Sequence, residues 1–383
     1  MERCVAEFGA GAAAGGMMQL AFRPYCRPFQ QPLQTAHGLW PQRQGLILRL
    51  ANESGQVSFG EIAPIPWFGT ETLAQAHAFC QQWPARFPAA QILTIPHTLP
   101  ACQFGFAAGR RVANQEPVSS PSSHESVEDL ASGPNIASRS QGGGHAQPLP
   151  QAFPCQGHDF SAEPLAPVDV CGLLPAGQAA LDAWCMLWER GHRTFKWKIG
   201  IAAVQAELAL FHHLVKALPE PARLRLDANG GLTPAEAVLW LTACDSVAGK
   251  VEFLEQPLPP DRSLNWLSTA SHKFATAIAL DESVATVHQL EQVYQCLGNA
   301  VVYVVKPAIA GFPHQLLDFC RRHPLDVVIS SALETPVGRN AALHLAQQLW
   351  AIGIPKRALG FGVGQWFADD WDTLSEVALW ESL

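Results

Sequence analysis

After Ala166 the chain settles into a regular alternation of short apolar runs and amphipathic stretches of helical period. The runs fall at residues 168–174, 194–200, 224–230, 251–257, 278–283, 301–307, 326–332 and 358–362. Strands buried on both faces read this way, as brief apolar segments bounded by turn signals. Eight of them in about 200 residues, alternating with helical patterns, predict an α/β chain folded as a (β/α)8-type, modified TIM barrel. A doubly wound sheet fits less well, because no Gly-rich nucleotide fingerprint opens the first unit. Upstream, residues 18–108 read as strands and turns followed by helical patterns at 72–83 and 101–108. The NESG at 52–55 lies between two β-rich runs and marks a hairpin, so this part is a small α+β domain.

Two stretches break the pattern. Residues 109–164 shift to Ser, Pro, Gly, Gln, Asn and His with few aliphatic side chains, too little apolar surface to offset the entropy of ordering. They are expected to form a loosely ordered insertion between the α+β domain and the barrel, which occupies 165–383 with a C-terminal segment returning toward the first domain. Residues 1–17 are rich in small side chains and have no Leu-rich stretch, which makes them a poor signal peptide. They are expected to be a disordered or misassigned leader, with translation starting at Met17 or Met18.

Composition narrows the function classes. The chain of 383 residues is 48% hydrophobic and 15% charged, as expected of a globular protein with a full core, and its formal charge is −8. It lacks the cationic field that nucleic acid requires, and no run of apolar residues is long enough to span a bilayer. The ten cysteines are scattered without a CxxC pair, which suits reduced thiols in a cytoplasmic protein. A small molecule is therefore the expected partner, with neither nucleic acid nor membrane.

Charged residues inside strands buried on both faces are costly and need a reason. Here Lys198, Asp227, Glu255, Asp281 and Lys306 follow one another at intervals of 29, 28, 26 and 25 residues, one near the C-terminal end of each of five successive strands. Catalytic groups of barrel enzymes come from that rim. Alternation along the strand turns Lys196 inward with Lys198, and Arg225 and Asn229 inward with Asp227, while Phe195 and Trp197 point outward to the helices. Two adjacent lysines repel, which is expected to lower the proton affinity of each and suit one to act as a base. Three converging carboxylates call for a cation between them, and a set of hard oxygen donors suits Mg2+ better than zinc. Together these residues describe abstraction of a proton next to a carboxylate.

These motifs resemble the enolase superfamily, and within it the muconate-lactonizing-enzyme-like subgroup. The matching pieces are the KxK of Lys196, Trp197 and Lys198, LDAN at 226–229, FLEQP at 253–257, ALDES at 279–283 and VVKPAIAG at 304–311. The resemblance implies that Asp227, Glu255 and Asp281 bind Mg2+, with Mn2+ as a substitute, that Lys198 is the acid/base, and that Lys306 faces it. It also implies that the α+β domain is a cap whose loops near 33–40 and 63–69 close over the barrel mouth. His37, Trp40, Trp67 and Phe68 on those loops are expected to cover the substrate or to pack between cap and barrel.

Within the subgroup, the Asp-x-Asp pair with which dipeptide epimerases hold an ammonium is missing from LGFGVGQWF at 359–367, and Lys306 disfavours racemases that use a His–Asp dyad. LRLDAN at 224–229 and ISSALET at 329–335 look like the o-succinylbenzoate synthase branch. That likeness implies a lyase that dehydrates a cyclohexadiene carboxylate on the route to menaquinone or phylloquinone. It also implies that Arg225, Asn229, Ser330 and Ser331 serve the substrate or the shell around the metal. N-acylamino-acid racemisation and muconate-type cycloisomerisation remain alternatives. A Schiff-base aldolase would leave three carboxylates in register unexplained, and a non-catalytic scaffold would leave the lysines unexplained as well.

Overall fold

The computed structural model describes residues 16–35, 37–110, 168–247, 249–260 and 264–383. The proposed leader, apart from its last two residues, and nearly all of the proposed insertion lie outside the described residues.

The N-terminal domain is an antiparallel sheet with two helices against it. Strands β1 (Met17–Thr35), β2 (Gly38–Asn52), β3 (Val57–Ile62) and β4 (Arg86–Pro88) lie in the order β3-β2-β1-β4. The NESG turn joins β2 to β3 as the sequence indicates. The Asn52 side chain accepts from the backbone N–H groups of Ser54 and Gln56, and Gly55 takes the left-handed conformation at φ 81°. Helix α1 (Leu73–Gln82) starts at a capping box formed by Thr72 and Gln75, and α2 (Pro100–Gly109) lies directly on β3. The close approach of α2 depends on Gly60, where a Cβ would stand 2.0 Å from the Gly105 carbonyl oxygen.

In the second domain, seven parallel strands run in sequence order around a curled sheet: β5 (Gly172–Leu174), β6 (Thr194–Lys198), β7 (Arg223–Asp227), β8 (Val251–Glu255), β9 (Ala277–Leu280), β10 (Val302–Val305) and β11 (Val327–Ile329). The eighth predicted run supplies the closing stave in two residues. Leu359 hydrogen-bonds to the chain at Asp169 and Cys171, and Gly360 to Ile329 and Ser331, so both edges of the sheet are joined. Between the strands stand α3 (Ala180–Glu189), α4 (Val204–Ala217), α5 (Pro234–Asp245), α6 (Leu264–Lys273), α7 (Val287–Leu297), the short α8 (Pro307–Ala310) and α9 (Pro313–Arg322), and α10 (Pro336–Ala351) follows β11. Phe195, Trp197, Leu224, Leu226 and Leu254 point outward into the main core, where Trp197 and Phe211 meet Trp240 edge-on. The barrel interior holds a smaller apolar layer of Phe253, Ala279, Val302, Val304 and Val328. No helix among the described residues is long and apolar enough to cross a membrane.

The chain ends on the cap. Helix α11 (Glu376–Ser382) places Leu379 and Trp380 against Tyr25, Ile47 and Phe59. Two fully buried side chains of the cap grip the barrel. Glu61 accepts from the Tyr25 hydroxyl, the Thr335 N–H and hydroxyl and the Gly338 N–H, so it caps the start of α10 from another domain. Arg43 donates to the carbonyls of Ala332, Pro64 and Ala63, joining the barrel loop after β11 to the cap loop that carries Trp67 and Phe68. Glu61→Ala leaves several buried donors unsatisfied and is expected to cost about 3 kcal/mol of unfolding free energy. A urea titration checks this as a lowered midpoint, whereas an unchanged midpoint would remove Glu61 as the joint between the domains.

Candidate active site

Parallel pairing sets Lys198, Asp227 and Glu255 side by side across β6, β7 and β8. Asp281 lies two residues beyond Ala279, the partner of Glu255, and Lys306 follows the last residue of β10. The five predicted residues thus share one end of the barrel, the first three in one row and the others at successive strand ends. Just past that row the chain adopts left-handed backbone at two non-glycine residues, Asn229 (φ 43°) and Gln256 (φ 38°). Such conformations are held only where surrounding contacts fix them, and they cluster at functional sites. Gln256 is fixed on both sides. Its amide donates to Ser283 and the Leu258 carbonyl, and its carbonyl accepts from the N–H groups of Asp281 and Ser283.

The two lysines of β6 differ in state. Lys196 lies 2.8 Å from both Asp227 and Glu255. Burial pushes its ammonium down, but the surrounding carboxylates outweigh this and hold its pKa well above the ordinary lysine value. That corrects the expectation that mutual repulsion lowers the proton affinity of both lysines, since Lys196 is neutralised by the carboxylates instead. Lys198 stands exposed at the barrel mouth and has no ion pair or hydrogen-bond partner for its side chain among the described residues. Lys306, almost fully buried, is hydrogen-bonded to Asp281, and its ammonium lies 4.7 Å from the centre of the Phe68 ring.

The carboxylates share too little positive charge. Desolvation, with Asp227 and Asp281 nearby, pushes Glu255 up to about 8 despite Lys196. Glu282 is pushed up to about 7 by burial and by Asp281 and Asp227, and its Oε2 is buried without a hydrogen-bond partner among the described residues. Asp227 goes the other way, because Lys196 and the Asn229 N–H overcome the effect of burial and hold it below the usual carboxylate range. Four carboxylates against two ammonium groups leave a deficit that one divalent cation would balance, and all the donors are hard oxygens. The donor set therefore fits Mg2+, although the carboxylates are arranged around the lysines and not around a single point.

The residues expected to meet substrate are placed unevenly. Asn229 is at the rim, its amide donating to Glu282 at 3.1 Å. Ser331 is turned inward, accepting from Leu333 N–H and bonded to Glu334, so it shapes its own loop. Ser330 pairs by its backbone with Val305 and Gly360. Arg225 is set deeper in the barrel than the other three. It lies one inward position nearer the strand start than Asp227, bonded to Glu252 at 2.7 Å and to the Ala358 carbonyl, and is 2% exposed. On the cap side, Trp40 and Trp67 meet edge-on at 4.9 Å, His37 stacks on Trp67, and Phe68 reaches Lys306. Sequence reasoning missed Glu282, Gln256 and Arg43. Glu282 adjoins a predicted ligand and Gln256 follows one directly, whereas nothing local to Arg43 announces its burial.

A capped (β/α)8 barrel with carboxylates and lysines on successive strand ends is an enolase-type barrel, and the comparisons agree. Residues 179–373 match the family described as enolase C-terminal domain-like, and residues 18–112 match the family described as MenC, N-terminal domain. The o-succinylbenzoate synthase of Thermosynechococcus vestitus is 39% identical over 352 residues, covering 91% of this chain and 94% of that one. The crystal structure of o-succinylbenzoate synthase from Thermosynechococcus elongatus BP-1, complexed with Mg in its active site, superposes with a TM-score of 0.77 at 37% identity, covering 95% of this chain and 100% of the other. A substrate-liganded L-Ala-D/L-Glu epimerase from Bacillus subtilis shares the fold at 18% identity, with a TM-score of 0.67 over 93% and 92% of the two chains. The chain belongs to the o-succinylbenzoate synthase family of the enolase superfamily.

Proposed function

We propose that this protein is a lyase that catalyses syn dehydration of 2-succinyl-6-hydroxy-2,4-cyclohexadiene-1-carboxylate to o-succinylbenzoate in the cytoplasm, on the route to menaquinone or phylloquinone. The 39% identical relative that carries this name supports the choice of substrate. The observation that carries the chemistry is the contrast between two lysines of one strand. Lys196 is bound between carboxylates, whereas Lys198, level with Asp227, has no side-chain partner among the described residues at the mouth.

In this reading Asp227, Glu255 and Asp281 hold Mg2+, for which Mn2+ can substitute, and the bound ion supplies positive charge to the ring carboxylate as its α-proton leaves. Lys198, in its amine form, takes that proton. The resulting ammonium then donates a proton to the departing hydroxyl, so one residue serves both halves of the reaction and water is the sole co-product. Lys306, fixed by Asp281 and covered by Phe68, adds fixed charge on the far side of the mouth. Asn229 and Glu282 shape the rim beside the ligands, and the aromatic side chains of the cap keep water from the ring.

A comparison of substrates tests the reading. The diene carboxylate should be turned over with a kcat/KM at least tenfold above that for deuterium exchange into N-succinylamino acids followed by NMR, and dipeptides should not react. Faster exchange than dehydration would move the assignment to racemisation within the same superfamily.

A further inference from the structure

At the opposite end of the barrel from the proposed active site, a cavity of about 350 Å3 opens between the chain entering β5, the loop from α3 to β6, the start of β8 and residues 356–358. Thr194, at the start of β6, lines it. Lys198 ends the same strand four residues on, about 13 Å away at the rise of a β-strand.

The charges that line this cavity fall into two groups. Glu252 on its floor is neutralised internally, because Arg225 and Arg357 both bind it and Arg357 continues to Asp326 at 2.6 Å. Around it stand Arg190, Arg193 and Lys356, and besides Glu252 the acidic residue of the lining among the described residues is Asp169. None of these three cations has an ion pair with an acidic side chain among the described residues. Arg193 donates to the carbonyls of Trp188 and His192 and stacks on Trp188 at 3.8 Å, and Lys356 lies 5.6 Å from the ring of Trp350. The side chain of Arg190 has no hydrogen bond or ion pair among the described residues. An excess of positive charge in a concave site, on a chain whose formal charge is −8, concentrates field where an anion can enter. The two guanidinium groups match the fork geometry of phosphate oxygens, and the lysine adds a point charge.

We propose that this cavity binds a small phosphate-bearing anion. Its walls come from both sides of the seam where Leu359 pairs with Asp169 and Cys171 to close the barrel, so a bound anion joins the first barrel unit to the last. Binding therefore stabilises the closed barrel and raises the melting temperature, by an amount that grows with the logarithm of ligand concentration above the dissociation constant.

The test is calorimetric titration of the full-length, Mg2+-loaded protein with inorganic phosphate at constant ionic strength, repeated with adenosine 5′-monophosphate. One saturable site and a rise in Tm are expected. In the Arg190→Gln/Lys356→Gln variant, which touches nothing at the opposite rim, turnover should persist while the dissociation constant rises at least tenfold. Equal affinity for the two probes assigns free phosphate, and tighter binding of the nucleotide assigns a phosphate monoester; either supports the site. Absence of saturable heat, or binding undiminished in the double variant, overturns it. So does loss of phosphate binding in Lys198→Ala, which would place the anion at the active site instead.

Discussion

Lys198→Ala is expected to lower kcat for dehydration by about 10³-fold or more while leaving Tm within a degree or so of the parent. Removal of a general acid or base typically costs 10²–10⁴-fold, and here one amine serves both proton transfers, so the loss should sit toward the upper end. The small effect on stability follows from the position of Lys198. Its side chain is exposed and has no ion pair among the described residues, so truncation strands no buried carboxylate. Divalent-ion affinity, read from the loss of the free Mn2+ EPR signal on binding, should stay close to the parent value. Near-normal turnover in Lys198→Ala would sink the proposed mechanism, and a folded variant that no longer bound the ion would show that Lys198 belongs to the ligand shell instead.

Lys196→Ala should behave in the opposite way. Its ammonium lies 2.8 Å from each of Asp227 and Glu255, both buried, and its loss leaves two carboxylates without their nearest counter-charge. Breaking a fully buried pair by removing one partner costs roughly 3–5 kcal/mol, and the partial exposure of the lysine reduces this to about 2–3 kcal/mol. The loss should be greatest without a divalent ion. An ion held by these carboxylates stabilises by mass action, about 2.7 kcal/mol at one hundred times its dissociation constant, and replaces much of the charge that Lys196 supplied. Urea unfolding of parent and variant, each with EDTA and with excess Mg2+, reads this as a stability gap that narrows when the ion is present. An equal gap in both conditions would mean that the carboxylates and the ion do not share a site.

The barrel was legible because its strands are buried on both faces, so each appears as an isolated apolar run that helical stretches cannot imitate at that spacing. The runs overshoot the strands at their C-terminal ends, where 224–230 shortens to Arg223–Asp227 and 251–257 to Val251–Glu255. The residues past those ends belong to the rim, and Asn229 and Gln256 leave the extended conformation there. Charged residues at regular intervals revealed Lys198, Asp227, Glu255, Asp281 and Lys306, because a charge within an apolar strand stands out from its neighbours. Alternation also turned Lys196 and Arg225 inward. It could not tell that one meets Asp227 and Glu255 and the other pairs with Glu252 lower in the barrel, since depth along the axis depends on strand stagger and on the length of the side chain. The grip of Arg43 and Glu61 on residues 332–338 was invisible for a related reason. Both partners are about 270 to 290 residues away in sequence, and a polar residue on a cap strand looks solvent-exposed until the other domain is in place.

The most direct measurement of the central claim follows the diene absorbance of 2-succinyl-6-hydroxy-2,4-cyclohexadiene-1-carboxylate with the protein in Mg2+, then in EDTA, then with Mg2+ restored, and identifies the product by NMR. Conversion to o-succinylbenzoate that stops with the chelator and returns with the ion is the expected result. A diene left unchanged by folded, metal-replete protein would contradict it.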